Sequence, residues 1–346
     1  MAGRSDAAER TRDPARVVSA VVVHWRRPEE CLRTVSQLVG GGVLPEEIVV
    51  VDNGSPVGQV ALLVRQLPAG VSVVALGRNA GFGPAANIGL LRWLRRAETH
   101  YSLVLPHDVD LAEGCLPALV EAMESRPELG VAFADVGDAR VPRFDPALGA
   151  VPGERVVSGD VAPADYPHGT LMVIRREAAL DVGLFDESYF AYGEEVDLGF
   201  RMRDHGWDVA VVGSARVENR FMGPGPGPVV VAYLQHRNTI RLVGERFGAG
   251  AAVVRTLLGL RRGWRESERL RLGEGADKGM VRGVVDAWRR RVGAPEPSWF
   301  KEPPAVGPCA GTLPGPGRKV DESVSVSGVF GSMGPRVPAP RSRAAS

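Results

Sequence analysis

Two short stretches decide the fold: residues 17–24 read VVSAVVVH, and residues 48–52 read IVVVD. Both are β-branched runs of strand length. Two further strand patterns and three helical patterns continue this alternation: strands at residues 71–76 and 101–105, and helices at residues 28–39, 57–66 and 85–96. Short apolar strands that alternate with helices are typical of a parallel sheet covered on both faces. We therefore predict an α/β fold of this kind.

The composition of the 346-residue chain is that of a globular protein, with 44% hydrophobic and 24% charged residues. The formal net charge is +1, which disfavours a nucleic-acid binder that works through overall charge. Three cysteines without a CxxC spacing disfavour a disulfide scaffold or a cysteine zinc site. The sequence shows neither an apolar signal segment nor a run of about 18 apolar residues, so we expect a cytoplasmic protein.

The sequence predicts four parts: a flexible N-terminus (1–15), a main domain (16–230, with halves at 16–112 and 113–230), a helical region (231–293) and a flexible tail (294–346). Residues 295–346 include 17 Pro and Gly residues among 52, which is typical of loosely attached segments. Residues 130–175 show little periodicity and are expected to be rich in loops. Residues 251–291 contain eleven basic and five acidic residues. This stretch is either a solvated helix face or a surface that rests on an anionic membrane.

Polar residues follow each predicted strand, where ligands of parallel sheets bind. They are His24 and Trp25, Asp52, then Asn79, Gly81 and Asn87, and finally Asp108 and Asp110. Asp52 can accept the imide N–H of a uracil or thymine ring, but taken alone this stretch favours the alternative, a strand-to-helix turn with an Asx cap. The glycine-rich stretch opens a helix, a place that suits phosphate or ribose. Asp108 and Asp110 suit a divalent cation that bridges a diphosphate, or they form a solvated acidic turn.

A second acidic group, Glu194 and Glu195, follows the aromatic residues of the stretch YFAYGEEVD. Adjacent carboxylates beside aromatic rings can have a raised pKa and serve as a general base. The alternative is an acidic first helical turn, which the helix dipole favours.

In these motifs and their order, the chain resembles family 2 glycosyltransferases of the GT-A fold, especially the bacterial rhamnosyltransferase-like branch. The resemblance covers about residues 17–245. The matching motifs are VVVHWRRPEECLRTVSQL, IVVVDNGS, GRNAGFGPAANIG, LVLPHDVDL, GTLMVIRREAALDVGLFDESYFAYGEEVDLGFRMRDHGW and YLQHRNTIRL. It implies a GT-A (Rossmann-like), mostly parallel central sheet with helices on both faces, plus a helical C-terminal addition.

The resemblance also implies an inverting hexosyltransferase that moves a sugar from a UDP- or dTDP-linked, rhamnose-like donor to an acceptor hydroxyl. The implied donor residues are His24, Trp25, Asp52, Asn79, Gly81, Asn87 and Asp108. Asp108, with Asp110, would hold Mg²⁺ or Mn²⁺. Glu195, with Glu194 beside it, would be the catalytic base. His168, Gly169 and Asp186 would shape the acceptor side, and Arg237 and Asn238 match an Arg-Asn pair of the following helix.

The acceptor is expected to be a glycan, a lipid-linked molecule or a small molecule, with no nucleic acid as a partner. Contact with the inner membrane face is an open alternative, and the sequence does not disclose the oligomeric state. Four departures from the family pattern concern the site: Arg26 for Asn, Pro106 at the start of the metal motif, Glu195 for Asp, and Asn219 for a metal-binding His. They leave open a catalytically inactive, nucleotide-binding scaffold as the alternative. A nucleotidyltransferase is a weaker alternative, because HWRRPEE contains no Gly.

Overall fold

The computed structural model of the protein describes residues 18–95, 99–219, 227–263 and 275–299. Its N-terminal half alternates strands and helices, as the sequence predicts. The elements are β1 (Val18–His24), α1 (Pro28–Gly40), β2 (Ile48–Asp52), α2 (Val57–Gln66), β3 (Ser72–Ala75), α3 (Phe82–Arg95), β4 (Tyr101–Pro106) and β5 (Val109–Leu111). Strand β1 is buried along its whole length, which explains its continuous apolar pattern.

The second half adds further strands and helices. They are α4 (Cys115–Ser125), β6 (Leu129–Asp135), β7 (Arg140–Asp145), β8 (Gly149–Arg155), β9 (Val161–Pro163), β10 (Met172–Arg175), α5 (Arg176–Val182), α6 (Glu194–Asp204), β11 (Asp208–Asn219), α7 (Pro228–Phe247), α8 (Ala249–Gly263) and α9 (Ala276–Trp288). The expectation of loops over residues 130–175 is wrong, because five strands lie there. The hairpin of β7 and β8 is mostly solvent-accessible and rich in Arg and Pro, so it lacks an apolar alternation.

The central sheet has the strand order β3-β2-β1-β4-β10-β6-β11-β5, and β9 also pairs with β11. Strands β1 to β4 are parallel to one another, as are β6 and β11. Strand β10 runs antiparallel between β4 and β6, and both β5 and β9 run antiparallel to β11. The GT-A-like fold is therefore confirmed, but the sheet is mixed, because its second half reverses direction repeatedly.

Helices cover both faces of the sheet. One core cluster joins α1, α2 and α4 to residues such as Val22 and Val50. The other joins α3, α5 and α6 to their sequence neighbours Val21 and Val51. Successive side chains of a strand point to opposite faces. Each fully apolar strand therefore contributes side chains to both core clusters.

The last three helices pack beside this three-layer domain. Helix α9 lies close against α7 at Gly279, where an added Cβ would lie 2.0 Å from the carbonyl oxygen of Val229. Helix α7 begins at Pro228, close to the predicted boundary at residue 230. The predicted flexible N-terminus and residues 300–346 of the tail lie outside the described residues, and the division into four parts stays a prediction. Within the described ranges, no helix combines the length and apolarity that a bilayer span requires.

Candidate active site

The carboxyl ends of the four parallel strands lie side by side. His24 of β1 is in register with Asp52 of β2, which is in turn in register with Ala75 of β3. On the other side of β1, Val23 is in register with Pro106 of β4. The polar segments that follow these strands therefore meet at one edge of the sheet, where ligands of such sheets bind.

His24 and Asp52 form a buried pair at this edge. Nδ1 of His24 donates to Oδ2 of Asp52 at 2.7 Å, while Nε2 accepts the backbone N–H of Arg27 at 3.1 Å. Oδ1 of Asp52 accepts the N–H of Ser55 at 2.9 Å, which is the predicted turn cap. Each carboxylate oxygen keeps a second lone pair. A contact between Asp52 and a nucleobase therefore stays a prediction beside the cap.

The turn after β1 places Trp25 next to this pair. Nε1 of the Trp25 indole is buried and has no hydrogen-bond partner among the described residues. The guanidinium of Arg26 lies 4.7 Å from the Trp25 ring. Arg26 has φ of 63°, a left-handed conformation that Asn adopts more readily. The expected Asn is thus the residue that the backbone of this turn favours.

The loops after β2 and β3 are held together by Asn53, a residue to which sequence reasoning gave no role. Its Nδ2 donates to Oδ1 of Asn79 and to the carbonyl of Gly81, both at 3.1 Å, and its Oδ1 accepts the N–H of Ala80 at 2.8 Å. Gly81 has φ of 100°, and an added Cβ would lie 2.1 Å from the carbonyl oxygen of Phe190. The glycine-rich loop therefore fits tightly against the Phe190 loop, which leads to Glu194.

Asn87 lies in α3 and its side chain makes three hydrogen bonds to the protein. Nδ2 donates to the carbonyl of Phe185 at 2.9 Å and to Oε1 of Glu187 at 3.0 Å, while Oδ1 accepts the N–H of Phe185 at 3.1 Å. The structure thus places Asn87 against the Phe185–Glu187 turn. Its predicted contact with the donor stays a prediction.

Three side chains with metal-ligand atoms converge after β4. A carboxylate oxygen of Glu30, a ring nitrogen of His107 and a carboxylate oxygen of Asp108 all lie within 4.8 Å of one another. Nδ1 of His107 contacts the carbonyl of Val23 at 3.3 Å, and its Nε2 is buried without a hydrogen-bond partner among the described residues. An imidazole with two carboxylates suits first-row divalent metals, so these residues fit a divalent cation.

The protonation of this cluster agrees with a cation site. Burial, with the neighbouring His24, lowers the pKa of His107 to about 3, so its Nε2 carries a free lone pair at neutral pH. Burial raises the pKa of Asp108, and the negative charge of Glu30 adds to the rise. Sequence reasoning missed Glu30. The signal was its place in the first turn of the helix that directly follows β1.

Asp110, the second predicted metal ligand, is directed elsewhere. Its Oδ1 accepts from Nε of Arg33 at 2.9 Å and from Nε2 of Gln37 at 3.2 Å, both on α1. The structure does not bring it into the Glu30, His107 and Asp108 cluster. Asn219, the replacement for the expected metal-binding His, is exposed at the end of β11 and pairs with Val109.

Glu194 and Glu195 open α6 and differ in their surroundings. Glu194 is 4% exposed, and its Oε2 has no hydrogen-bond partner in the described part of the chain. Burial, the charge of Glu195 and a hydrogen bond with Glu195 raise the pKa of Glu194 well above its ordinary value. Glu195 is only half-buried, and its Oε2 accepts the N–H of Gly193 at 3.0 Å. A buried Glu194, whose pKa is raised, thus lies beside the more accessible Glu195.

Tyr192 connects the two acidic groups of the site. Burial and the negative charges of Glu194, Glu195 and Asp108 raise the pKa of Tyr192 to about 12. The Tyr192 hydroxyl is therefore within electrostatic reach of all three carboxyl groups. The charges of Asp108 in the metal-type cluster and of both general-base candidates therefore act on the same side chain.

The loop over residues 189–192 is strained and firmly held. Phe190 and Tyr192 have φ of 69° and 65°, which is costly for aromatic residues. Asn238 of α7 donates from Nδ2 to three carbonyls of this loop, those of Tyr189, Ala191 and Tyr192, at 3.0, 2.9 and 2.7 Å. Arg237 adds a bond from Nη2 to the Tyr189 carbonyl at 2.9 Å. The Arg-Asn pair therefore positions the loop that precedes Glu194 and Glu195.

The acceptor-side residues show two kinds of environment. His168 is exposed, its Nδ1 lies 3.0 Å from Oγ1 of Thr170, and Gly169 has open space around it. Asp186 caps a short 3₁₀ turn through the N–H of Ser188 at 2.9 Å, and its Oδ2 accepts from Arg241 at 3.2 Å. His168 is free to meet a ligand, whereas Asp186 holds the turn in place.

The buried carboxyl of Glu194 gives a pH-dependent stability. We expect Glu194→Gln to become more stable than the wild type as pH rises. The pKa of Glu194 in the folded protein is raised above the ordinary 4.5. Glu194 therefore contributes its full stabilisation to the wild type below pH 4.5, and this stabilisation is lost as the pH rises through the folded-state pKa. Over this range the free energy of unfolding of Glu194→Gln, relative to that of the wild type, should increase by up to about 1.4 kcal/mol per pH unit. Urea unfolding across this pH range measures it.

The exposed Glu121 of α4 provides the control. Glu121→Gln changes no buried carboxyl, so the difference between this variant and the wild type should stay flat with pH. A flat difference for Glu194→Gln as well would contradict a buried, protonated Glu194.

Comparisons with known proteins were made for sequence and for fold. The family model described as glycosyltransferase-like family 2 matches residues 14–223. An N-acetylglucosaminyl-diphospho-decaprenol L-rhamnosyltransferase of Mycobacterium tuberculosis is 26% identical over an alignment of 271 positions, and the alignment covers 66% of this chain and 88% of that protein. The low-salt glycan biosynthesis hexosyltransferase Agl10 of Haloferax volcanii is 24% identical over 200 residues, 54% of this chain and 61% of that one.

Solved structures with a similar fold are more distant in sequence. GalNAc-T7 with UDP, GalNAc and Mn²⁺ has a TM-score of 0.54 at 16% identity, covering 79% of this chain and 56% of that one. The mannosyltransferase PcManGT of Pyrobaculum calidifontis, in complex with GDP-Man and Mn²⁺, has a TM-score of 0.50 at 13% identity, covering 80% and 88%. At sequence identities this low, the similarity shows that the fold is shared and nothing further.

Proposed function

This chain belongs to glycosyltransferase family 2 and is a glycosyltransferase, and from that premise we propose that it is an inverting enzyme that uses a UDP- or dTDP-linked sugar. The observation that carries the proposal is the close contact between the glycine-rich loop of the donor side and the Phe190 loop that leads to Glu194 and Glu195, where a Cβ added at Gly81 would lie 2.1 Å from the carbonyl oxygen of Phe190. The donor side and the base candidates therefore adjoin, as a direct displacement requires. A rhamnose-like sugar is the proposed cargo, because the mycobacterial relative is described as a rhamnosyltransferase.

Glu195 is the proposed base. The acceptor hydroxyl gives its proton to the Glu195 carboxylate, and its oxygen forms a bond to the anomeric carbon. The bond from that carbon to the diphosphate breaks, and the nucleoside diphosphate leaves with the electron pair. Because attack and departure occur on opposite faces, the configuration inverts. The raised pKa of Glu194 supports this role, because it favours the uncharged acid and so avoids a second negative charge beside Glu195.

Glu30, His107 and Asp108 are the residues that would hold a divalent cation. Such a cation would stabilise the negative charge that develops on the leaving diphosphate. The half-buried turn at Trp25 and the buried Asp52 are proposed to meet the nucleoside. His168 and Gly169 are proposed to face the acceptor. Asn87 and Asp186 are instead proposed to position the Phe185–Glu187 turn.

The proposed acceptor is a lipid-linked glycan, with peripheral contact between the protein and the membrane. This proposal is supported by the mycobacterial relative, whose described acceptor is linked to decaprenol.

A thermal-shift panel tests donor class and cation use together. UDP, dTDP and GDP are each added with Mn²⁺, Mg²⁺ or EDTA. We expect UDP or dTDP to raise the unfolding temperature, since a ligand at 100 times its Kd stabilises by about 2.7 kcal/mol. A shift with GDP alone would contradict the donor class. Binding with no sugar transfer to any acceptor or water would support the inactive scaffold.

The imidazole of His107 gives a sharper test of the cation site. Because nitrogen ligands favour Mn²⁺ over Mg²⁺, we expect a larger nucleotide shift with Mn²⁺ in the wild type. His107→Ala should reduce this advantage, which is the difference between the nucleotide thermal shifts measured with Mn²⁺ and with Mg²⁺. His100→Ala removes an exposed imidazole at the opposite end of β4 and should leave the advantage unchanged. An unchanged advantage in His107→Ala would exclude His107 as a ligand.

A further inference from the structure

Helix α8 carries an exposed apolar stripe. Val253, Val254 and Leu257 are 45%, 46% and 62% exposed, and their spacing places them on one side of the helix. The opposite side, with Ala252 and Thr256, is buried against its neighbours. A solvated helix face would carry polar residues at the exposed positions, and this face does not.

Helix α9 carries a matching stripe. Val281, Val285 and Trp288 are 47%, 37% and 48% exposed, at the spacing of one helix face. Nε1 of Trp288 donates to Oγ1 of Thr256 at 3.2 Å. This bond places Trp288 against α8 at the level of Thr256, the residue before Leu257, so the two stripes lie on neighbouring helices; we call them together the apolar face.

Most of the exposed charged residues that border this apolar face are basic, and the acidic Asp277, one turn before Val281, is partly buried. Arg261 lies beyond Leu257 on α8, Lys278 lies one turn before Val281, and Arg289 and Arg290 directly follow Trp288; all four are exposed. The acidic Asp286 does not offset them, since it is 2% exposed and accepts from Tyr233 inside the bundle.

The end of α9 is fixed next to the acceptor side of the site. The N–H of Gly293 donates to the carbonyl of Ser188 at 2.7 Å, and the carbonyl of Gly293 accepts from Arg237 at 2.7 Å. Ser188 and Arg237 belong to the network that holds the loop before Glu194. The apolar face and the candidate base therefore belong to one packed unit.

We infer that the exposed face of α8 and α9, with Leu257 and Trp288 at its centre, binds the surface of an anionic lipid bilayer. Apolar residues with a Trp enter the interface, and the basic border meets the lipid phosphates. A second copy of the chain fits less well, because a two-fold contact would bring the like-charged borders together. Only the use of this face to approach a lipid-linked acceptor rests on the proposed function.

Vesicle co-sedimentation of the full chain tests the inference. The probes are phosphatidylcholine vesicles with and without phosphatidylglycerol, at low and high salt. We expect binding to the anionic vesicles that weakens with salt. Leu257→Ser should lower the partition coefficient about tenfold, because burial of each CH₂ contributes about 0.8 kcal/mol. The double variant Arg289→Gln/Arg290→Gln should lower it about fivefold per arginine at low salt.

Matched controls separate this face from general surface effects. Leu180 on α5 is 63% exposed, so Leu180→Ser removes the same side chain at the same exposure elsewhere. Arg65→Gln/Arg95→Gln removes two exposed arginines of other helices. Both controls should bind vesicles as the wild type does. Equal losses in the Leu180→Ser and Leu257→Ser variants, or no binding to anionic vesicles, would overturn the inference.

Two further measurements complete the test. A concentration-dependent dimer that Leu257→Ser abolishes, without vesicle binding by the wild type, would assign the face to a second copy and overturn the inference. The nucleotide thermal shift, measured on the same variants, reports the proposed function separately and shows that each variant is folded. If no nucleotide shifted the unfolding temperature of the wild type, the proposed function would be rejected, and the vesicle result would not be affected.

Discussion

Replacement of Glu195 by glutamine is expected to lower sugar transfer by about 10²–10⁴-fold, the range that a general base contributes. Glutamine keeps the size of the side chain and its hydrogen bond from Gly193, but it cannot take the acceptor proton. The half-buried position at the start of α6 leaves room for an acceptor. Initial rates of nucleoside diphosphate release, with an acceptor present, measure the loss.

Glu195→Asp is the matched control. It keeps the charge, restores the residue that the family pattern leads one to expect, and retracts the carboxylate by one CH₂. We expect it to retain far more activity than Glu195→Gln. Both variants should keep the nucleotide thermal shift, because Glu195 lies on the acceptor side. Full transfer by Glu195→Gln would assign proton removal to another group, with His168 as the next candidate.

The strand ends were predictable from sequence because burial of the parallel strands leaves a simple signal. Each fully apolar run stops at a polar residue, as at His24 and Asp52, and the residues at these stops lie together in the structure. The antiparallel β10 was not predictable. Its four residues, Met172–Arg175, form a buried strand of the sheet, and four residues carry no period that separates a strand from a loop.

The candidate site was predictable in position but not in its contacts. Asp108 and Glu195 came from motif order, and the charges of both act on the buried Tyr192. Asn87, Asn53 and Glu30 show the limit. An amide or a carboxylate in a motif can face a ligand or hold the backbone, and only the folded chain shows which. Asn87 holds a turn formed about a hundred residues later, a contact that no local pattern encodes.

The largest structural effect is expected from Gly81→Ala. The added Cβ would lie 2.1 Å from the carbonyl oxygen of Phe190, and φ of 100° is unfavourable for alanine. Overpacking and backbone strain together should lower the free energy of unfolding by about 2–4 kcal/mol. If the Phe190 loop moves to relieve the clash, Glu195 moves with it, and a displacement of about 1 Å can lower the rate about 10²-fold.

Gly77→Ala distinguishes the contact from the backbone strain. Gly77 also has a positive φ, 69°, but an added Cβ would meet nothing within 4 Å. Its cost should be limited to about 1–2 kcal/mol of strain, with transfer unchanged once the protein is folded. Urea unfolding gives the stabilities, and rates measured well below the melting temperature give the catalytic effect. If Gly81→Ala reduced stability and turnover no more than Gly77→Ala, the contact between the glycine loop and the Phe190 loop would not position the base. The relative position of the donor half and the acceptor half would then depend on other contacts, such as the pairing of β4 with β10 and the hydrogen bonds of Asn87.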